Sequence, residues 1–325
     1  MYEFQEDDID FEKYAEETEA SAHVVPASAF ASAVKQSFRA RRDGKRIYLP
    51  WEKTRDCFEF RDAEVTIWAG QNGHGKSQTT DMVKLSLIGQ GMKVAAASFE
   101  MKPVANLRRM SRMFAGMNLY SDEFSSEEGL GHVDSLVDEF FGWTEDMLWI
   151  YNQTGQTSGK KVVGFVRYCA RELGCKHVFV DNLAKCVRDE DDHNQQKAFI
   201  DQMCSIAHDE NIHIHIVHHL KKPKGGESEK PDKSDVKGSG SITDQPDNLF
   251  LVWRNKPKEE ARKAGKLDKD NEPDCVIYCR KQRNYEGNGE GEPTIGLWYH
   301  KDSLQFVATA VDGALFFPNY PHYQT

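Results

Sequence analysis

Residues 70–77, GQNGHGKS, constrain this chain more than any other stretch. They satisfy G-x-x-x-x-G-K-[ST] at every fixed position, and they lie between an apolar run, AEVTIWA (63–69), and a helical pattern that begins at about residue 76. Gly70, Gly73 and Gly75 let the backbone wrap phosphates with its N–H groups, and the start of the following helix favours negative charge. Lys76 is placed to reach the β- and γ-phosphates, and the Ser77 hydroxyl to ligate Mg2+. With Gln78 in the first helical turn, these residues form the expected binding set for ATP, or another NTP or dNTP, together with Mg2+.

The rest of the chain supplies the fold such a loop needs. After AEVTIWA, strand-like runs appear at KVAAASF (93–99), MLWIY (147–151), KHVFVD (176–181), IHIHIV (212–217) and NLFLVW (248–253). Helical patterns intervene at about 76–89, 104–117, 161–173 and 194–210. This alternation predicts an α/β fold, with a largely parallel central sheet and helices on both faces. Shorter runs at 275–281, 294–299 and 304–309 predict a C-terminal antiparallel extension. Two stretches, 222–236 and 255–274, are rich in charge, Gly and Pro, and read as unpacked. The expected division is an acidic tail and short helix over 1–40, one ATPase domain over 41–310, and a tail over 311–325.

In a parallel α/β sheet, ligands sit at the carboxyl ends of the strands. Asp181 ends the strand KHVFVD and Glu100 closes the strand AAASFE, so both carboxylates are expected in one crevice with Lys76. Asp181 suits the metal, and Glu100 suits the orientation or deprotonation of water. His218 and His219 end the run IHIHIVHH, where a ring N–H could sense a γ-phosphate. His213 and His215 share one face of that strand, but no Cys or carboxylate cluster accompanies them, so they read as half-buried packing residues rather than metal ligands.

Composition bounds the rest. No apolar run approaches membrane-spanning length and the N-terminus is acidic, so a cytoplasmic location without membrane contact is expected. Seven cysteines with no CxxC spacing argue against a disulfide framework and against a zinc site. A net charge of -10 weighs against nucleic-acid binding, although a basic groove can coexist with an acidic outer surface. Residues 27–40, ASAFASAVKQSFRA, form a short amphipathic helix with Phe30, Val34 and Phe38 on one side, too small to fold alone.

Taken in order, GQNGHGKS, SFEM, VFVDN, HHLKKP, DVKGSGSITDQPDNLFLVWRN and KQRN before a Gly-rich turn resemble the helicase domain of DnaB-class hexameric replicative helicases. HHLKKP is closer to the phage helicase–primase and Twinkle branch than to bacterial DnaB. The resemblance spans roughly residues 60–310, and no primase domain is expected ahead of it. It implies a RecA-like P-loop NTPase: an ATP-dependent ring motor, hexameric, that moves 5′→3′ on single-stranded or forked DNA beside a primase or polymerase. It makes Glu100 the catalytic base, Asp181 the Mg2+-coordinating acid and His219 the γ-phosphate sensor. Arg254 matches a residue near the nucleotide base, and Lys237, Gly238, Ser239 and Gly240 match the loop that grips the DNA backbone. Backbone N–H groups and a Lys can hold phosphates without reading bases. Lys221, Lys222 and Lys224 read equally well as a flexible polar loop. The helix at 27–40 stands where such proteins carry a linker that docks on the adjacent subunit.

Lys281 and Arg283 match a pair that reaches into the neighbouring subunit's ATP site. Two apart on a strand, they point the same way, while Arg280 faces away as a surface residue. The upstream site has no obvious Arg for the γ-phosphate, so the pair and the site complete one another across a subunit boundary. The chain departs from the family in carrying Asp244 then Gln245 where Gln is usual, and in the length of the 255–274 insert. Two alternatives stay open at this level: a RecA-like recombinase or annealing ATPase on single-stranded DNA, and a DnaB-like scaffold or loader that does not unwind.

Overall fold

The β-branched and aromatic runs form strands and the amphipathic stretches between them form helices, in the order the alternation predicts. A computed structural model describes residues 3–4, 27–42, 46–187, 192–221, 229–238, 240–285 and 292–318. In chain order the strands are β1 (Glu3–Phe4), β2 (Val65–Gly70), β3 (Val94–Ser98), β4 (Leu148–Tyr151), β5 (His177–Asp181), β6 (His213–His219), β7 (Asn248–Arg254), β8 (Cys275–Gln282), β9 (Thr294–His300) and β10 (Gln305–Val307). The helices are α1 (Ala31–Arg42), α2 (Lys76–Gly89), α3 (Pro103–Ala115), α4 (Glu127–Thr144), α5 (Gly159–Arg171), α6 (His193–Asp209), α7 (Ser241–Asp244) and α8 (Lys256–Lys263).

The strands join in one sheet in the order β1-β4-β3-β5-β6-β2-β7-β8-β9-β10. From β1 to β7 neighbours are parallel, and β8, β9 and β10 continue antiparallel. Strands β3, β5, β6 and β2 are therefore consecutive, so their carboxyl ends share one rim. One apolar layer packs α5 and α6 through Phe165, Cys169, Phe199 and Met203 against one face of the sheet. The other packs α2, α3 and α4 through Met82, Leu85, Met110 and Phe140 against the opposite face.

Several expectations need correction. The segment 255–274 is not unpacked: Asn255 caps α8 by accepting from Lys258 N, and the Lys258 side chain is fully buried with its ammonium 2.8 Å from Asp274. Arg262 pairs with Asp270 in the same segment, so its charges are spent on one another, and a composition that reads as solvated is folded. Part of 222–236 is also ordered, since Val236 is buried and bridged to Leu220; residues 222–228, with Lys222 and Lys224, lie outside the described residues. α4 was not anticipated; its cap is Ser126, which accepts from Gly129 N. In the acidic tail Glu3–Phe4 pairs with β4, and residues 5–26 lie outside the described residues.

His213 and His215 are not half-buried but wholly enclosed, together with His177. His213 Nδ1 donates to the Arg61 carbonyl at 2.6 Å, which leaves Nε2 to accept from the Thr66 hydroxyl at 2.7 Å. Trp68 Nε1 donates to His215 Nδ1 at 3.2 Å, so His215 Nε2 carries the proton shared with His177 Nδ1 at 3.1 Å. His215 stacks on Phe179 with centroids 4.0 Å apart. His213 and His215 each spend one donor and one acceptor as a neutral imidazole, and a second proton would have no partner. Burial pushes all three rings below the ordinary histidine value, His213 to about 4.

A group whose folded pKa is depressed stabilises the fold above its unfolded pKa and loses that contribution as pH falls. The stability held by His213 is therefore complete above about pH 6.5 and fades towards pH 4, each tenfold change in proton affinity being worth about 1.4 kcal/mol. Urea midpoints at pH 7.5 and 5.0 should differ clearly in the wild type and less in His213→Gln. Equal differences in the two proteins would show that this histidine does not carry the effect.

Candidate ATPase site

The loop after β2 turns through Gly73 and Gly75 at φ +74° and +89°, values that L side chains rarely adopt. At Gly70 the limit is space, because a Cβ would lie 2.7 Å from the Val252 carbonyl oxygen. Lys76 opens α2 and folds across the loop, with Nζ 2.9 Å from Gly70 O and 3.0 Å from Gln71 O. Burial lowers its pKa, and the Asp181 and Glu100 carboxylates oppose that shift. A largely desolvated ammonium beside two carboxylates is poised to exchange backbone carbonyls for phosphate oxygens.

The sheet register brings the other groups to this rim. Ser98 pairs with Asp181, Asp181 with Val217, and Gly70 with His219. Ser77 Oγ donates to Asp181 Oδ2 at 2.8 Å. Burial raises the Asp181 pKa, and the Ser77 hydrogen bond offsets only part of that rise. A hydroxyl and a carboxylate side by side are the hard oxygen donors that suit Mg2+ held jointly with nucleotide phosphates. No group of three or more His, Cys, Asp or Glu that could form an all-protein metal cage occurs among the described residues.

Glu100 follows β3 in a short turn, pinned by Phe99 N to Asp181 O (2.7 Å) and by Gly155 N to Phe99 O (2.8 Å). Its carboxylate accepts from Asn182 Nδ2 and stands 3.5 Å from His219 Nε2. The His219 ring is the largest cause holding Glu100 below its ordinary pKa; partial burial opposes it, and Lys76 and Asn182 assist. At neutral pH Glu100 is therefore a partly exposed carboxylate. Asn182 also meets His219 Nε2 at 2.7 Å, so one buried amide ties the two groups together. Sequence reasoning missed Asn182. Its signal was a second polar residue directly after the buried acid in VFVDN.

Beyond His219 the chain is joined to the expected DNA loop. Lys237 N donates to His219 O at 3.0 Å, and His218 Nε2 meets Lys237 O at 2.6 Å. His218 is buried, which lowers its pKa to about 4, so it faces this loop as a neutral ring rather than facing the phosphate site. Gly238 has φ +99°, and a Cβ there would collide with the Gln196 carboxamide. Gly240 precedes α7; Ser239 lies outside the described residues. Lys221 is held by the same turn, with N to Asp235 O at 2.7 Å and Nζ to Ser234 O at 3.1 Å.

On the other side of the loop a cleft of about 690 Å³ is lined by Gly73, Gln78, Arg254, Tyr299, Leu304 and Phe306, among others. Arg254 pairs with Glu259 and reaches Gly73 O at 3.3 Å, which puts it beside the phosphate loop. Gln78 points away from the phosphates and donates to Leu304 O. Tyr299 and Phe306, whose ring centroids are 5.8 Å apart, were not singled out from sequence; an exposed aromatic near the end of the strand TIGLWYH was the available signal.

Lys281 and Arg283 are absent from this rim. Gly70 pairs with Val252, whereas Lys281 pairs with Leu249 and Gln282 with Asn248, so the two cations stand roughly 10–13 Å down the sheet at about 3.3 Å per residue. Lys281 Nζ donates to Thr243 O at 3.2 Å, and Arg283 donates to Asp244 O at 3.1 Å and to Gln245 O at 2.9 Å. They point the same way, at the carbonyl end of α7. A register shift precedes them, and Arg280 there lies over the Tyr278 ring at 4.8 Å and 3.5 Å from Asp232, so it is not a free surface charge.

A phosphate loop, an acid on a neighbouring strand and a carboxylate closing the next, all on one rim of a mostly parallel sheet, define a P-loop ATPase with a RecA-like core. Residues 57–307 match the model of the DnaB-like helicase C terminal domain, and the chain belongs to that family. It is an ATP-hydrolysing helicase domain of the DnaB class. Among solved structures one helicase ATPase domain superposes with a TM-score of 0.68 at 16% identity, covering 86% of this chain and 98% of that one. A DnaB-like replicative helicase, solved in a study of its interactions with primase, gives a TM-score of 0.67 at 16% identity, covering 85% of this chain and 66% of that one. At that identity these likenesses speak for the fold. Among the described residues no helix is long and apolar enough to cross a membrane.

Proposed function

We propose that the chain is a ring-forming replicative helicase motor in which each ATP lies between two subunits. One subunit supplies Gly70, Gly73, Gly75, Lys76 and Ser77 around the phosphates, with Asp181 and Ser77 as the Mg2+ ligands. Bound there, Mg2+ would neutralise charge on the β- and γ-phosphate oxygens. Glu100 accepts the proton of the attacking water, and Asn182 and His219 hold its carboxylate in place. Arg254, Tyr299, Phe306 and Gln78 line the cleft that takes the base and sugar.

The observation that carries this reading is the placement of Lys281 and Arg283. They lie on the same sheet as the ATP site but out of reach of it, so their charge serves a nucleotide only in an adjacent subunit. Release of the γ-phosphate is passed from His219 to Lys237 through the backbone bond between them. Lys237, Gly238, Ser239 and Gly240 carry that movement to a single DNA strand, followed 5′→3′. The ring is hexameric, and α1 with the turn before it, whose Phe30, Val34 and Phe38 are exposed, docks on the neighbouring subunit. A primase or polymerase is the expected partner at the fork, and the cytoplasm the expected location.

Forked DNA with a 5′ or a 3′ single-stranded tail tests the motor. Wild type should separate the strands from the 5′-tailed fork with ATP and Mg2+, and Lys76→Ala should separate neither fork. ATP hydrolysis stimulated by DNA with no strand separation on either fork would rule the motor out. Filaments formed on single-stranded DNA under the same conditions would favour a recombinase instead.

A further inference from the structure

Asp81 lies on α2 one helical turn beyond Ser77, on the face turned towards β5, and its carboxylate is completely buried. Oδ1 accepts from Lys84 Nζ at 2.9 Å, and Oδ2 accepts from Asn106 Nδ2 at 2.8 Å and from Arg109 Nε at 2.7 Å. Lys84 is itself buried, with Nζ 5.1 Å from the centroid of Phe179, two residues before Asp181 on β5. Asn106 and Arg109 both belong to α3. That helix starts at Pro103, three residues after Glu100. One carboxylate thus joins the helix that carries Lys76 and Ser77 to the helix that anchors the Glu100 turn.

Stability alone does not account for such a cluster. Burying charges costs several kcal/mol per ion before pairing, and well-packed apolar residues usually serve a core as well or better. What the ions add is direction, because a bidentate carboxylate with three donors fixes two helices in one relative position, where apolar contacts permit sliding. The Glu100 turn is fixed at its other end by the backbone bonds of Phe99, so α3 is the remaining freedom.

We propose that Asp81, held by Lys84, Asn106 and Arg109, is a positioning residue for ATP hydrolysis: it locks α3 to the P-loop helix and thereby sets the distance from Glu100 to the γ-phosphate. This rests on the reading of Glu100 as the base. The cluster touches neither nucleotide nor water, so its loss spares binding and slows the chemical step. Misplacing a catalytic group by about 1 Å can cost about a hundredfold in rate.

The test measures kcat, KM and nucleotide affinity for DNA-stimulated ATP hydrolysis in the full chain. In Asp81→Asn, kcat should fall about ten- to a hundredfold while KM and nucleotide affinity stay within about threefold of wild type. The triple variant Asp81→Leu/Lys84→Met/Arg109→Met removes every buried charge of the cluster, guards against loss of folding, and should show the same split. Arg109→Lys, which keeps a cation opposite Asp81, should retain much of the rate that Arg109→Met loses. Wild-type kcat in the folded triple variant overturns the proposal, as does a parallel loss of rate and affinity. Glu100→Gln is the control: if it hydrolyses ATP normally, the reading of Glu100 fails, whereas an inactive Glu100→Gln beside a fully active Asp81→Asn overturns the clamp alone.

Discussion

Glu100→Gln should bind ATP with near wild-type affinity and hydrolyse it at least about a hundredfold more slowly, the lower end of what a positioned general base contributes. The substitution preserves the shape of the side chain and its capacity to accept from Asn182 Nδ2, so the turn after β3 stays in place. It removes the negative charge that His219 and Lys76 stabilise and the lone pair that takes a proton from water. Nucleotide contacts come from the other side of the rim, from Lys76 and the glycine loop, and are untouched. Binding of a fluorescent nucleotide and steady-state phosphate release, measured on one preparation, separate the two effects. A rate within about tenfold of wild type would remove Glu100 from the role of base.

Arg283→Ala and Lys76→Ala should each be inactive alone and partly active when mixed. Lys76→Ala removes the ammonium that spans the phosphate loop. Arg283→Ala removes a guanidinium that in its own chain rests on the Asp244 and Gln245 carbonyls, well away from the loop. An Arg supplied in trans to a transferring phosphoryl group is worth about three to five powers of ten in rate. If that group comes from the neighbour, a mixed ring contains sites with an intact Lys76 from one subunit and an intact Arg283 from the next. Activity should rise on mixing and peak near equal proportions. A flat, inactive mixing curve, in preparations shown by light scattering to exchange subunits, would mean the pair does not act across the boundary.

The alternation of strands and helices was legible because each element is long enough to show its period, and the rim residues were legible because strand ends are marked by a change from apolar to polar. The ends of α3, α5 and α6 fall within two residues of the positions read from the chain. Where the reading failed, charge was the cause. Lys258 looks like a solvent residue in a Lys- and Glu-rich insert, yet it is buried because Asp274 waits for it sixteen positions away. His213 and His215 looked half-exposed because alternation on an outer strand would leave them so; β6 is flanked by β5 and β2, and Phe60 and Phe179 close over the rings.

The sequence by itself determined the phosphate loop, the acids at the ends of β3 and β5, the histidine at the end of β6 and the class of fold, since each rests on residue types at short, fixed spacing. The tertiary structure alone decided which of these groups meet. It set β6 between β5 and β2, so that Asn182 bridges Glu100 and His219, and it gathered Asp81, Asn106 and Arg109 from two helices into one buried cluster. It also carried Lys281 and Arg283 to the far end of β7, away from the phosphates their charge would suit. Spacing along a chain fixes what a segment becomes, but a contact between segments depends on strand order and register, and those are settled only when the whole core packs.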